Sequence, residues 1–148
     1  MTSDAPTIGW REWVSLPQFS PDRIAAKVDT GAKTSCLHAG DLRLHDDGEA
    51  PVVSFEFHPD PDGGGAVSTV TAPVIDFREI RSSNGQVQTR PVIRTELALG
   101  DRRFEIDLTL TARDAMRHRV LLGRRFLEQR YRVDPGRVFL LTGEEATA

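Results

Sequence analysis

Val28-Asp29-Thr30-Gly31-Ala32 sets one carboxylate on a tight glycine turn directly after an apolar run. The lead-in, Arg23-Ile24-Ala25-Ala26-Lys27-Val28, carries Ile24, Ala26 and Val28 at alternate positions among polar or small neighbours. That is the period of a half-buried strand, so Asp29 falls at a strand end. Around it, Thr30 offers a hydroxyl to brace the turn, Gly31 lets backbone approach a ligand closely, and Ala32 is small enough to leave a cleft open.

The same alternation recurs outward from this turn. Val53, Phe55 and Phe57, then Ile93, Thr95, Leu97 and Leu99, then Phe104, Ile106, Leu108 and Leu110, and finally Val138 and Leu140 read as strands. Turn signals separate them: Asp46-Asp47-Gly48, Pro61-Asp62-Gly63-Gly64-Gly65, Asn84-Gly85, Gly100-Asp101 and Asp134-Pro135-Gly136. Short strands at this spacing predict a mainly β protein with a closed or sandwiched antiparallel sheet. One short helix of about two turns is predicted near the C-terminus, from Arg124 or Arg125 through Phe126, Leu127 and Gln129 towards Arg130. Residues 8–141 form the expected single domain, with flexible ends at 1–7 and 142–148.

At 148 residues the chain has room for one core but not for two catalytic lobes. Its 39% hydrophobic and 28% charged residues are ordinary for a soluble protein, and no apolar run approaches the roughly 18 residues of a membrane span. The start Met1-Thr2-Ser3-Asp4-Ala5-Pro6 lacks a secretory pattern, and Cys36, the single cysteine, forms no internal disulfide. The cytoplasm is the expected compartment, with no membrane partner. A net charge of −3 argues against nucleic acid as a partner. The positive charge is nearly all arginine, since lysine occurs only as Lys27 and Lys33, and it thickens over 78–94 and 113–132.

A lone carboxylate on a turn suggests paired-carboxylate chemistry, in which two acids held close share one proton. One acts as base on a water while the other protonates a carbonyl oxygen. A second block supports this reading: Val120-Leu121-Leu122-Gly123-Arg124, an apolar strand running into Gly-Arg and the short helix. Strand into Asp-Thr-Gly-Ala, later hairpin, then a hydrophobic Gly-Arg junction resembles the retropepsins, the single-lobe aspartic proteases.

A closer resemblance is to a bacterial retropepsin-like family whose members often carry the label "ATP-dependent zinc protease". Three blocks carry it: Lys27 to Ser35; Arg78-Glu79-Ile80-Arg81-Ser82-Ser83-Asn84-Gly85 with Arg90-Pro91-Val92-Ile93; and Arg113-Asp114-Ala115-Met116 with Arg119 to Arg124. The resemblance implies a closed retropepsin-like β-barrel and an aspartic endopeptidase. Its catalytic turn would be Asp29, Thr30 and Gly31, and a homodimer would supply the second Asp29. It further implies a cover formed by the Asn84-Gly85 hairpin, placing Ala32, Arg81, Ser82, Ser83, Asn84 and Gly85 at substrate, and a structural or dimer role for Gly123 and Arg124. Relatives associated with glutamate-ligating enzymes suggest an acidic or poly-glutamate tail of a ribosomal protein as substrate.

Departures from the pattern leave alternatives open. Residues from about Gly40 to Asp76 read as an extra hairpin. No phosphate loop and no His-Glu-x-x-His helix is present, so the family label's ATP and zinc have no motif behind them. The remaining metal candidates are Cys36, His38, His45, His58 and His118; Cys36-x-His38 is the only close pair and lacks two further ligands, so no metal or other cofactor is expected. Arg78, Arg81, Arg90, Arg94, Arg113, Arg119 and Arg124 either line a cleft for acidic substrate or serve the fold and the dimer. A non-catalytic peptide-binding module and a zinc-dependent peptidase stand as alternative functions.

Overall fold

The computed structural model describes residues 5–46, 50–60, 66–81, 84–112 and 118–143. In chain order the elements are β1 (Thr7–Ser15), β2 (Arg23–Val28), β3 (Ser35–His38), β4 (Gly40–His45), β5 (Val52–Phe57), β6 (Ser68–Pro73), β7 (Asp76–Arg81), β8 (Val87–Leu99), β9 (Arg102–Thr111), β10 (Val120–Leu122), α1 (Arg124–Leu127) and β11 (Arg132–Val138). The protein is mainly β, as its alternating pattern predicts.

The sheet is mixed, not purely antiparallel. A mixed eight-stranded sheet runs β11-β1-β2-β10-β3-β9-β8-β7, and β1 also meets β8 at Val14–Leu99 and Ser15–Ala98. Three of its pairings are parallel: β1 with β11, β2 with β10, and β3 with β9. Alternation along one strand reports which face is buried but carries no information about the direction of its neighbour.

The region expected as an extra hairpin is a separate three-stranded sheet, β4-β5-β6. Val53, Phe55 and Phe57 of β5 are buried. Phe19 meets both phenylalanines edge-on, at ring separations of 5.9 and 5.8 Å, which fastens this sheet to the rest of the core. Burial of such a side chain contributes about 1.5–3 kcal/mol. In the main sheet Ile24, Ala26 and Val28 of β2 face inward with Ile93, Leu97 and Leu99 of β8 and Ile106, Leu108 and Leu110 of β9.

Three local expectations change. The helix is one turn, not two: Glu128 leaves helical geometry at ψ 127° and Gln129 adopts φ 66°. The reversal buries Tyr131 against Phe104 and Phe126. Asp134-Pro135-Gly136 lies within β11 and not between strands: Gly136 N–H donates to Asp134 Oδ1 at 2.9 Å in a local turn where the register with β1 shifts between Gly9 and Arg11; proline is tolerated there because β11 ends the sheet. Val138 and Leu140 are both 37% exposed, while Phe139 between them is buried at φ 51°.

At the ends of the described chain, Thr7 pairs with Arg132, and Thr142 bonds the buried Glu12 carboxylate. The readings that fall on Asp47-Gly48, Pro61 to Gly65, Ser82-Ser83, Arg113 to Met116 and 144–148 lie outside the described residues.

Candidate active site

β10 lies between β2 and β3, parallel to the first and antiparallel to the second. Residues 29–34, which link β2 to β3, therefore bridge the end of β10. Four backbone hydrogen bonds fix the bridge: Asp29 N–H to Leu122 O at 2.9 Å, Ala32 N–H to Asp29 O at 3.2 Å, Arg124 N–H to Ala32 O at 2.8 Å and Arg125 N–H to Lys33 O at 3.1 Å. The Gly123 N–H donates to Ser35 Oγ at 3.0 Å. The two sequence blocks that carried the reading are thus one structural unit.

Within it, the Asp29 side chain is partly buried and its Oδ1 accepts from the Gly31 N–H at 2.9 Å. This bond holds the carboxylate over the turn. A Cβ at Gly31 would stand 3.2 Å from Oδ1, so a side chain there crowds the carboxylate. Arg124 donates through Nη1 to the carbonyl oxygens of Thr30 at 3.2 Å and Gly31 at 3.4 Å. Within one chain it thus clamps the turn's own backbone.

A cavity of about 790 Å³ opens from this turn. Its floor is Gly31, Ala32, Lys33, Thr34, Cys36 and Arg125, and its wall is the β7–β8 hairpin through Asp76, Arg78, Glu79, Ile80, Arg81 and Arg90. Asp29 is not in this lining. A second cavity, of about 410 Å³, shares Thr34, Arg78 and Arg125 and continues to Arg94, Glu105, Asp107, Phe126 and Arg130. The first cavity carries five cationic side chains against two carboxylates, in a chain whose net charge is −3. Positive potential is therefore concentrated beside the Asp29 turn.

Not every cation there is available to a ligand. Arg78 is held by Asp76 at 3.3 Å and Asp107 at 3.8 Å, and Arg94 is bound to Asp107 at 2.8 Å. The hydrogen bond to Asp107 and its charge raise the Arg94 pKa above its ordinary value. Arg81 donates to Gly85 O, and Arg90 to Gln88 Oε1 and weakly to Cys36 Sγ at 3.8 Å. Among the described residues, Lys33 and Arg125 have no side-chain hydrogen bond or ion pair.

Of the substrate residues expected from sequence, Ala32 and Arg81 line the first cavity, Asn84 and Gly85 form the hairpin tip outside both linings, and Ser82 and Ser83 lie beyond the described residues. Arg119 and Arg124 line neither cavity. Sequence reasoning passed over Lys33, Arg125 and Arg130. The available signal was the run Gly123-Arg124-Arg125, in which successive side chains of a helical start point in different directions.

Among the described residues, no group of three or more His, Cys, Asp or Glu side chains gathers as a metal site. Cys36 faces Arg90, and the His38 ring lies 6.4 Å from that of His58. No helix among the described residues is long and apolar enough to cross a membrane.

With this geometry in hand, comparison with known proteins gives two kinds of match. The RimB-like family, described as "Retropepsin-like aspartic endopeptidase RimB", matches residues 7–144. A protein of unknown function from Legionella pneumophila has a similar structure, with a TM-score of 0.74 and 26% identity over 93% of this chain and 98% of that one. Curated relatives carry a different name, "Probable alpha-L-glutamate ligase". One from Shewanella halifaxensis is 40% identical over 95% of this chain and 31% of its own length. One from Parasynechococcus marenigrum is 44% identical over 86% of this chain and 28% of its own. The chain thus spans about a third of the curated relatives it matches.

These relatives correct the expected function. A homodimeric retropepsin-type endopeptidase cleaving acidic tails conflicts with relatives named as ligases. Neither the peptide-binding module nor the zinc-dependent peptidase is better supported. The family description and the name of these relatives both denote enzymes.

Proposed function

The chain belongs to the RimB-like family, and on that premise we propose that it is an enzyme domain that handles α-glutamyl chains alongside glutamate ligation in the cytoplasm. The observation that carries the proposal is the cavity beside the Asp29 turn, with five cationic groups against two carboxylates. An α-glutamyl chain presents a carboxylate at every residue, and guanidinium groups bind carboxylates in a planar, two-bond arrangement. The ligase names of the relatives supply the glutamyl chemistry; the ligase activity itself belongs in this proposal to the part of those proteins that the present chain does not span.

Asp29 is the proposed acid–base group of this enzyme domain. Its carboxylate accepts from the Gly31 N–H, in the same turn whose Gly31 and Ala32 line the cavity, and the Arg124 clamp keeps the turn from relaxing. The finer class, aspartic peptidase, is supported by the family description and the Asp29-Thr30-Gly31 turn. A second copy of the chain is the proposed protein partner, meeting the first across this exposed turn.

The test is to incubate the protein with α-glutamyl peptides of defined length, with and without an α-L-glutamate ligase, and to follow the chain-length distribution by mass spectrometry. The distribution should shift when the protein is present. An unchanged distribution in both mixtures would remove the proposal.

A further inference from the structure

Two cavities meet at Thr34, Arg78 and Arg125, and of the two shared guanidinium groups that of Arg125 has no hydrogen bond or ion pair among the described residues. Arg125 borders the 790 Å³ cavity and the 410 Å³ cavity alike. Its backbone is fixed in α1 and through its N–H to Lys33 O at 3.1 Å, which sets it beside Lys33, the other cation of the first cavity that has no side-chain hydrogen bond or ion pair among the described residues. Arg78, the other cation common to both cavities, is already held by two aspartates. An exposed cation is ordinarily solvated surface. Lys33 and Arg125 differ in standing on the backbone-locked floor of the first cavity, Arg125 bordering the second as well, beside positive groups that outnumber the carboxylates of the first cavity.

We infer that Lys33 and Arg125 form a carboxylate-reading subsite at the junction of the two cavities, taking a side-chain carboxylate of an acidic peptide at a residue removed from the bond next to Asp29. Arg125 supplies the planar two-donor fork, and Lys33 supplies a mobile point charge. The second cavity accommodates the continuation of the peptide past Arg94 and Arg130. The wall arginines Arg78 and Arg94, occupied by Asp76 and Asp107, shape the passage without competing for the ligand. This inference rests on the glutamyl-chain reading above and names the residues that select the chain.

The experiment measures binding of fluorescently labelled hexaglutamate and hexaglutamine by anisotropy, in the Asp29→Asn background so that no peptide is consumed. Arg125→Gln and Lys33→Gln are compared with Arg103→Gln, which removes a cation paired with Glu96 on β9 and outside both cavities. Loss of one charged hydrogen-bonding partner should weaken hexaglutamate binding about ten-fold for Arg125→Gln, less for Lys33→Gln, and flatten its salt dependence. Hexaglutamine binding and the unfolding midpoint should not move, and Arg103→Gln should behave as the parent. Preference for hexaglutamate that survives Arg125→Gln and Lys33→Gln overturns the subsite alone. A parent protein that binds both peptides equally overturns the glutamyl-chain reading, and the subsite with it.

Discussion

Gly123 lies so close under Thr34 that a Cβ added to it would stand 2.5 Å from the Thr34 carbonyl oxygen and 2.9 Å from that of Ala32. Gly123 has an ordinary extended φ of −96°, so space, not backbone freedom, requires glycine. Both blocking atoms belong to the backbone of the Asp29 turn's own continuation and cannot rotate aside. Gly123→Ala should therefore cost about 3 kcal/mol and displace the turn. Chemical denaturation checks the first effect, and loss of hydrogen-exchange protection at the Arg124 and Arg125 amides checks the second.

Glu12 is fully buried in β1, and its carboxylate accepts from Gly9 N at 2.7 Å, Leu141 N at 3.0 Å, Thr142 N at 3.0 Å and Thr142 Oγ1 at 2.7 Å. It ties the segment after β11 back onto β1. Glu12→Gln turns one acceptor into a donor facing N–H groups, and should cost roughly 2–3 kcal/mol. Faster amide exchange at Leu141 and Thr142, with exchange in β8 and β9 following only global stability, would confirm the tie; uniform acceleration would show that Glu12 acts on the whole core.

The Tyr131 phenol has a raised pKa, chiefly through burial, with the charge of Arg102 opposing. The Arg102 guanidinium lies 5.4 Å from its ring centroid. With the folded pKa above the unfolded value of 10.0, the protonated phenol's contribution is fully present below that pH and is lost as pH rises through the folded pKa. Stability should fall above about pH 10, and Tyr131→Phe should lessen that fall while changing stability near neutrality by about 0.5 kcal/mol or less. Urea midpoints across pH 7 to 11 measure both; identical alkaline slopes in the two proteins would rule out Tyr131 as the cause.

Among the described residues, the Arg124 side chain hydrogen-bonds carbonyl oxygens of the turn, through Nη1 to Thr30 and Gly31. Arg124→Met keeps the aliphatic stem and removes the donors. Because the group is exposed, stability should change by about 1 kcal/mol or less, yet the rate of the Asp29-dependent reaction should drop about ten-fold through loosening of the turn. A rate equal to that of the parent would reduce the clamp to a surface contact.

The strand pattern and the Asp29 strand end were legible because burial alternates along β2, β5, β8 and β9 as hydrophobicity does. What could not be read was which strands are neighbours. The insertion of β10 between β2 and β3 joins residues nearly a whole domain apart, and no local period encodes it. The same reason hid the parallel pairings. The helix overran because Gln129 and Arg130 have good helical propensity, while burial of Tyr131 against Phe104 and Phe126 bends the chain away. At the site, Arg124 and Arg125 look alike in sequence; only packing separates the one that grips the turn from the one that lines both cavities.

The central claim is that the Asp29 turn performs acid–base chemistry on α-glutamyl chains held by the adjoining cationic cavity. Its most direct test follows labelled hexaglutamate binding and product formation in the same samples of the parent protein and Asp29→Asn. The variant should bind the peptide at least as tightly, because a negative charge beside the cavity is gone, while its reaction rate falls about 10³-fold. An Asp29→Asn protein that converts hexaglutamate at the parent's rate would contradict the account.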